Sequence, residues 1–165
     1  MAVQVEHRAI DTPLEHLPPI DEHTIEIDAP AESAWAALFP TLGRTLDGWL
    51  SRRVSSALGC RETEANGDLH HPGGTLPGFV VSRAVAPVML ALVGEHRFSQ
   101  YAFVFRIDLL PGQRCRVRAE TRAEFPGARG KLYKAGVIGT RGHVLVVRSI
   151  LRSLKKRAER RADGR

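Results

Sequence analysis

The clearest pattern in the chain lies between residues 114 and 125. Arg114, Arg116, Arg118, Glu120, Arg122 and Glu124 take the even positions, and Cys115, Val117, Ala119, Thr121, Ala123 and Phe125 take the odd ones. Every even residue is charged and no odd one is, which predicts a strand with one wet face and one dry face. The stretch Phe98 to Leu110 follows the same period. Tyr101, Phe103, Phe105 and Ile107 lie on one side, Arg106 and Asp108 on the other, and Pro111-Gly112-Gln113 supplies a hairpin turn between the two strands. Two earlier strands are predicted over Phe79 to Ala86 and Val88 to Gly94, the latter reaching as far as Arg97. Near the start, Glu22 to Asp28 alternates, with Ile25 and Ile27 opposite Thr24, Glu26 and Asp28, and reads as a half-buried strand.

Helical spacing replaces alternation in two regions. After Asp28-Ala29-Pro30, a Pro suited to a first helical turn, Ala34, Trp35, Leu38 and Phe39 share a face, and Pro40 is expected to end that helix after about two turns. A second helix is predicted over Leu46 to Leu58, with Trp49, Leu50, Val54 and Leu58 on one face and Gly59 as its stop. Cys60 to Glu64 reads as a short strand and Asn66-Gly67-Asp68 as a turn. Past Gly127, the residues Leu132, Gly136, Gly139, His143, Val146, Ile150 and Leu154 recur at intervals of three and four. They predict one helix to about Arg160. Unbroken it would measure about 45 Å, so it must kink near Gly136, Gly139 and Gly142 or project its last turns. Glycine on the apolar face also predicts unfilled space beneath it. Residues 1–20 form an irregular lead-in, ordered where Ile10, Leu14 and Leu17 find a groove.

The predicted class is therefore α+β: an antiparallel sheet with two short helices after its first strand, covered by a long C-terminal helix. Residues 1–20 are the lead-in, 21–160 the domain and 161–165 a basic tail. A chain of 165 residues, 43% hydrophobic and 25% charged, is long enough for one ordinary core. Its longest apolar run, Ala84 to Gly94, falls short of a membrane helix. The first residues are charged and lack a leader's apolar stretch, and the two cysteines, Cys60 and Cys115, stand far apart. Both features predict a cytoplasmic protein with free thiols.

Charge is uneven. Residues 1–40 hold eight acids and one Arg, while residues 141–165 hold nine Lys and Arg against two acids, within a net charge of +6. A basic terminal segment argues less for nucleic acid than a basic face on the fold would. The arginines of the 114–125 strand alternate with Glu120 and Glu124 and have no interleaved aromatics, so they read as a solvated face and no nucleic-acid partner is expected. Lys155, Lys156, Arg157, Arg160 and Arg161 suit a solvated helix end, or a contact with an acidic partner or anionic lipid.

The order of elements, and the opening Ile25-Glu26-Ile27-Asp28-Ala29-Pro30-Ala31-Glu32-Ser33-Ala34-Trp35, resemble the START-like/SRPBCC superfamily, which includes Bet v 1-like allergens and polyketide cyclases. The resemblance covers roughly residues 22–157. It implies a helix-grip fold, a curved antiparallel sheet gripping the last helix with an apolar cavity between. Members bind lipids, sterols, polyketides or hydrophobic hormones, and some are cyclases or aromatases. The Cys-x-His pairs of a Rieske centre are missing, and no subfamily's catalytic residues match.

Strand parity and helix face give a candidate ligand-binding wall: Phe79, Leu90, Leu92, Tyr101, Phe103, Phe105, Val117, Thr121, Gly136, Gly139, His143 and Val147. His143 sits on an otherwise apolar stripe. It is either a core histidine bonded to a carbonyl or to Tyr101, or a group that orients or deprotonates a ligand. His96 shares parity with Leu90 and Leu92. His143, His96 and Tyr101 are thus the catalytic candidates should the protein be an enzyme of cyclase or dehydratase type. The adjacent His70 and His71 lack a third ligand nearby, so no metal site is expected, and no motif calls for a cofactor. The reading that follows is a protein that binds a hydrophobic small molecule. A cyclase-type enzyme on a polyketide-like substrate and an interaction protein using its basic tail stand as alternatives.

Overall fold

A computed structural model describes residues 16–137 and 142–164. Ten elements follow one another: β1 (Pro19–Ile27), α1 (Ala31–Leu46), α2 (Trp49–Leu58), β2 (Thr75–Leu76), β3 (Phe79–Val85), β4 (Met89–His96), β5 (Ser99–Leu110), β6 (Arg114–Glu124), α3 (Gly127–Val137) and α4 (Gly142–Ala162). The strands form one antiparallel sheet in the order β1-β6-β5-β4-β3-β2. Register shifts at Pro19/Asp21 in β1 and Val81/Arg83 in β3 bend its two sides. The sheet curves, and α1 and α4 pack together in its concave side.

The alternation in β6 sorts the faces as expected. Cys115, Val117, Ala119 and Ala123 are buried, while Arg114 and Glu124 are exposed. On the outer face the charges form a ladder with neighbouring strands. Arg114 and Arg116 both meet Glu26, at 2.7 Å each, Arg118 meets Asp108 at 2.7 Å, and Arg106 and Arg122 both meet Glu120. The arginine stripe is thus matched by carboxylates along its length. Further along the same face, Leu17 is buried with Ala91, Val93, Ala102 and Val104. Part of the lead-in is therefore ordered against the sheet, as the groove reading expected of Leu17. Ile10 and Leu14 lie outside the described residues.

Several expectations give way. Pro40 does not end the first helix; α1 runs on to Leu46. Leu38, Phe39 and Leu42 are buried on both sides of Pro40. Each contributes about 1.5–3 kcal/mol by burial, against about 3 kcal/mol for an interior proline. The second helix starts at Trp49, not Leu46, and ends on Gly59 in the left-handed region (φ 73°) as anticipated. Cys60 to Glu64 is not a strand, because no neighbouring strand pairs with it. The region of the predicted long helix is described in two stretches, α3 and α4, and Gly139 lies outside the described residues. Leu132, placed on the apolar stripe, is 77% exposed on α3. The stripe belongs to α4, where Val147, Ile150, Leu151, Leu154 and Ala158 are buried. The helix also continues to Ala162, two residues into the expected tail.

No helix among the described residues is long and apolar enough to cross a membrane.

Candidate functional site

The concave face is built in layers, because antiparallel register places dry-face residues side by side. One layer holds Gly94, Tyr101 and Ala123; the next Leu92, Phe103, Thr121 and Asp21; the next Leu90, Phe105, Ala119 and His23; a further one Ile107, Val117 and Ile25. At the Phe105–Val117 end, Trp35, Leu38 and Leu42 of α1 join Ile150, Leu151 and Leu154 of α4 in one buried cluster with the sheet. At the other end lies a cavity of about 310 Å³. Its wall includes Leu46 and Leu58, Cys60, Phe79, His96, Tyr101, Phe103, Thr121, Phe125, and His143, Val146, Val147 and Ile150 of α4.

Six of the ligand-wall candidates thus stand in it, Phe79, Tyr101, Phe103, Thr121, His143 and Val147, and so does the catalytic candidate His96. Leu92, in the layer of Phe103 and Thr121, is buried in the core cluster and does not, and Leu90, Phe105 and Val117 are buried in the solid end of the core. Parity correctly assigned them to the dry face, but it says nothing about position along the strand, and α1 fills that end. Gly136 falls in α3, and Gly139 is outside the described residues. Leu46, Leu58, Cys60, Phe125 and Val146 were not anticipated in the wall.

Tyr101 is positioned by a close approach. Its hydroxyl donates to the Gly78 carbonyl at 2.6 Å, and its ring stacks edge-on with Phe79 at 5.3 Å. A Cβ at Gly94, its cross-strand neighbour, would strike both the Gly78 carbonyl and the Tyr101 ring. The Cys60 thiol stands 3.7 Å from the Tyr101 oxygen. The Tyr101 proton is therefore committed to a structural bond. His96 is fixed similarly: its Nδ1 accepts from the Phe98 N–H at 3.1 Å. Burial holds its pKa below the ordinary imidazole value.

His143 stands apart. It does not bond a carbonyl or Tyr101. Its Nε2 meets Asp21 Oδ2 at 2.7 Å, and the same oxygen takes His23 Nε2 at 3.2 Å. Burial alone would raise the Asp21 pKa, but the hydrogen bonds from His143 and His23, together with the charge of His143, hold it below the usual carboxylate value. Thr121 lies opposite Asp21 in the register and adds to that lowering, although neither Thr121 Oγ1 nor Asp21 Oδ1 completes a hydrogen bond. His143 Nδ1 is also without a partner. These are the three buried side-chain polar atoms without a partner among the described residues, and all belong to this one corner.

Asp21 is the residue that sequence reasoning missed. The signal was there: Asp21 and His23 share parity with Ile25 and Ile27, and the observed strand starts three residues before Glu22. The predicted strand start at Glu22 left it out.

Other candidates lie away from the cavity. His70 and His71 both contact Asp68, at 2.7 and 2.9 Å, and the contacts that His70 and His71 make with it hold Asp68 down to about 2. No metal-binding group of three is present among the described residues. Lys155 turns back to β1, with Nζ 2.8 Å from the Glu26 carbonyl and 3.1 Å from Glu159. Lys156, Arg157, Arg160 and Arg161 occupy the last turns of α4.

Solved structures share this architecture. The Zhui aromatase/cyclase from Streptomyces sp. R1128 matches with a TM-score of 0.54 at 15% identity, over 88% of this chain and 96% of that one. A truncated norcoclaurine synthase from Thalictrum flavum matches with 0.53 at 13%, over 85% and 94%. The di-domain ARO/CYC StfQ of the steffimycin biosynthetic pathway matches with 0.58 at 10%, over 87% of this chain and 52% of that one.

The chain has the helix-grip fold.

No family model and no curated protein matches it. The helix-grip sheet and C-terminal helix expected from the opening motif are therefore present, while identities of 10–15% carry the likeness no further than the fold.

Proposed function

We propose that this helix-grip protein binds a hydrophobic small molecule, such as a lipid or polyketide, in the cavity between the sheet and α4. The carrying observation is one space of about 310 Å³ walled mainly by aromatic and aliphatic side chains, with Tyr101, Thr121, His96 and His143 among its few polar ones. Small-molecule sites have this form, apolar walls with a few placed polar groups, and begin near this volume. The aromatase/cyclase and synthase names among proteins of like fold agree with a cavity that holds apolar molecules.

Native mass spectrometry of freshly purified protein tests the reading. A co-purified apolar mass, or displacement of a bound hydrophobic dye by added lipids or aromatic polyketides, is expected. An apo mass with no dye binding overturns it.

The Asp21–His143 pair favours a second reading, a cyclase-type enzyme on a polyketide-like substrate. His143, oriented by Asp21, would move a proton at the cavity wall. Tyr101 and His96 serve this reading less well, because Tyr101's proton and His96's Nδ1 are already bonded to the backbone. Loss of turnover in His143→Ala with binding kept within a few-fold is the expected result; unchanged turnover removes the role.

A further inference from the structure

Positive charge and exposed apolar surface coincide on α3 and the first turns of α4. Between Glu124 and Glu159 the chain has no acid, and nine Lys and Arg fall in that interval. Toward the far end of α4 acids return: Glu159 and Asp163 stand among the cations, and Lys155 meets Glu159 at 3.1 Å. On α3, by contrast, Arg129, Lys131 and Lys134 are exposed and make no ion pair among the described residues, and neither does Arg148 in the second turn of α4. The same interval carries three of the seven large apolar side chains exposed among the described residues: Leu132 of α3, with Leu145 (66%) and Val146 (46%) of α4. Packing holds this surface beside the cavity. Gly130 of α3 is buried where a Cβ would strike the Phe125 backbone, and Lys134 Nζ stands 5.8 Å from the centre of the Phe125 ring. Phe125 and Val146 both belong to the cavity wall.

Cations interleaved with aliphatic side chains match an anionic bilayer, where Lys and Arg meet the phosphate headgroups and the aliphatics enter the acyl boundary. The other polyanions fit less well. Single-stranded nucleic acid calls for aromatic platforms, and the buried centre of a protein interface is poor in Lys. We propose that α3 and the first turns of α4 dock this protein on an anionic lipid surface, with Arg129, Lys131, Lys134 and Arg148 on the headgroups and Leu132 and Leu145 inserted between them. The surface is distinct from the basic end of α4 at Arg160 and Arg161. Docking is read with no cavity ligand added, so it stands or falls apart from the binding reading above.

Vesicle co-sedimentation of the full chain tests it, using phosphatidylcholine vesicles with and without phosphatidylglycerol. The protein should bind the anionic vesicles at low salt, release as salt rises, and leave neutral vesicles largely unbound. Lys131→Glu with Lys134→Glu should weaken binding by roughly ten-fold or more. Arg160→Glu with Arg161→Glu changes the net charge equally and should weaken it far less. Leu132→Ser with Leu145→Ser keeps every charge and should still weaken binding by roughly five-fold or more. All these sites are exposed, so the variants should melt with the wild type. Absence of binding to anionic vesicles at low salt overturns the proposal, as do equal losses from the two charge reversals. Leucine variants that bind vesicles like the wild type, with soluble polyglutamate competing fully, make an acidic protein the occupant and overturn it too.

Discussion

Asp21 and His143 are 122 residues apart in the chain and share a 2.7 Å hydrogen bond that ties the first strand to the first turn of the last helix. It is one of two polar links between these elements named above, the other running from Lys155 of α4 to the Glu26 carbonyl of β1. A bond to a charged group contributes about 1.5–3 kcal/mol. In a double-mutant cycle of Asp21→Ala and His143→Ala, urea unfolding should give a coupling energy of about 1–3 kcal/mol. Additive effects would show that the pair holds nothing together.

The two cysteines should behave as opposites. Cys60 is part of the cavity wall, whereas Cys115 is fully buried with its thiol pushed up to about 11 by burial and by the charge of Glu32. One thiol should react with an aromatic disulfide reagent in the folded protein, and Cys60→Ser should abolish that reaction. A bound apolar ligand should slow it. Equal labelling of both cysteines, or no protection by any cavity-binding molecule, contradicts this geometry.

His96 should make stability fall on mild acidification. Its folded pKa lies below the ordinary value, so between pH 7 and 5 the unfolded chain takes up a proton that the folded one resists. The contribution is present above the unfolded imidazole pKa of about 6.5 and is lost as pH drops through that range. His96→Asn retains an acceptor for the Phe98 N–H but cannot be protonated. Thermal melts of this variant should lose part of the pH slope seen in the wild type, and an identical slope would count against it.

Two glycines offer a matched pair. Alanine at Gly94 meets backbone at the Gly78 carbonyl and the Tyr101 ring, while alanine at Gly43 meets nothing within 4 Å. Gly94→Ala should cost about 1–3 kcal/mol and disturb dye binding in the cavity. Gly43→Ala, inside α1, should stabilise by up to about 1 kcal/mol. Similar melting temperatures for the two would argue against the close approach.

Much of this structure was legible in residue order. The alternation of β6 gave its wet and dry faces, Gly59 gave a helix stop, and the opening motif pointed to the fold. What the pattern could not give was position in three dimensions. Phe103 and Phe105 have the same parity and composition, yet one lines the cavity and the other is packed solid, because α1 covers only one end of the sheet. Pro40 misled because local propensity is overridden by burial on both sides of it. Asp21 was hidden by a strand boundary drawn a few residues late, and its partner lies at the far end of the sequence, where no local spacing connects them.

The layered core has an evolutionary consequence. Stability rests chiefly on the end filled by α1, and the hollow lies at the other. Exchanges at Phe79, Phe125 or Val146 can therefore retune what the hollow accepts without touching the packing that keeps the domain folded. A scaffold divided in this way can diverge in cargo while holding its architecture.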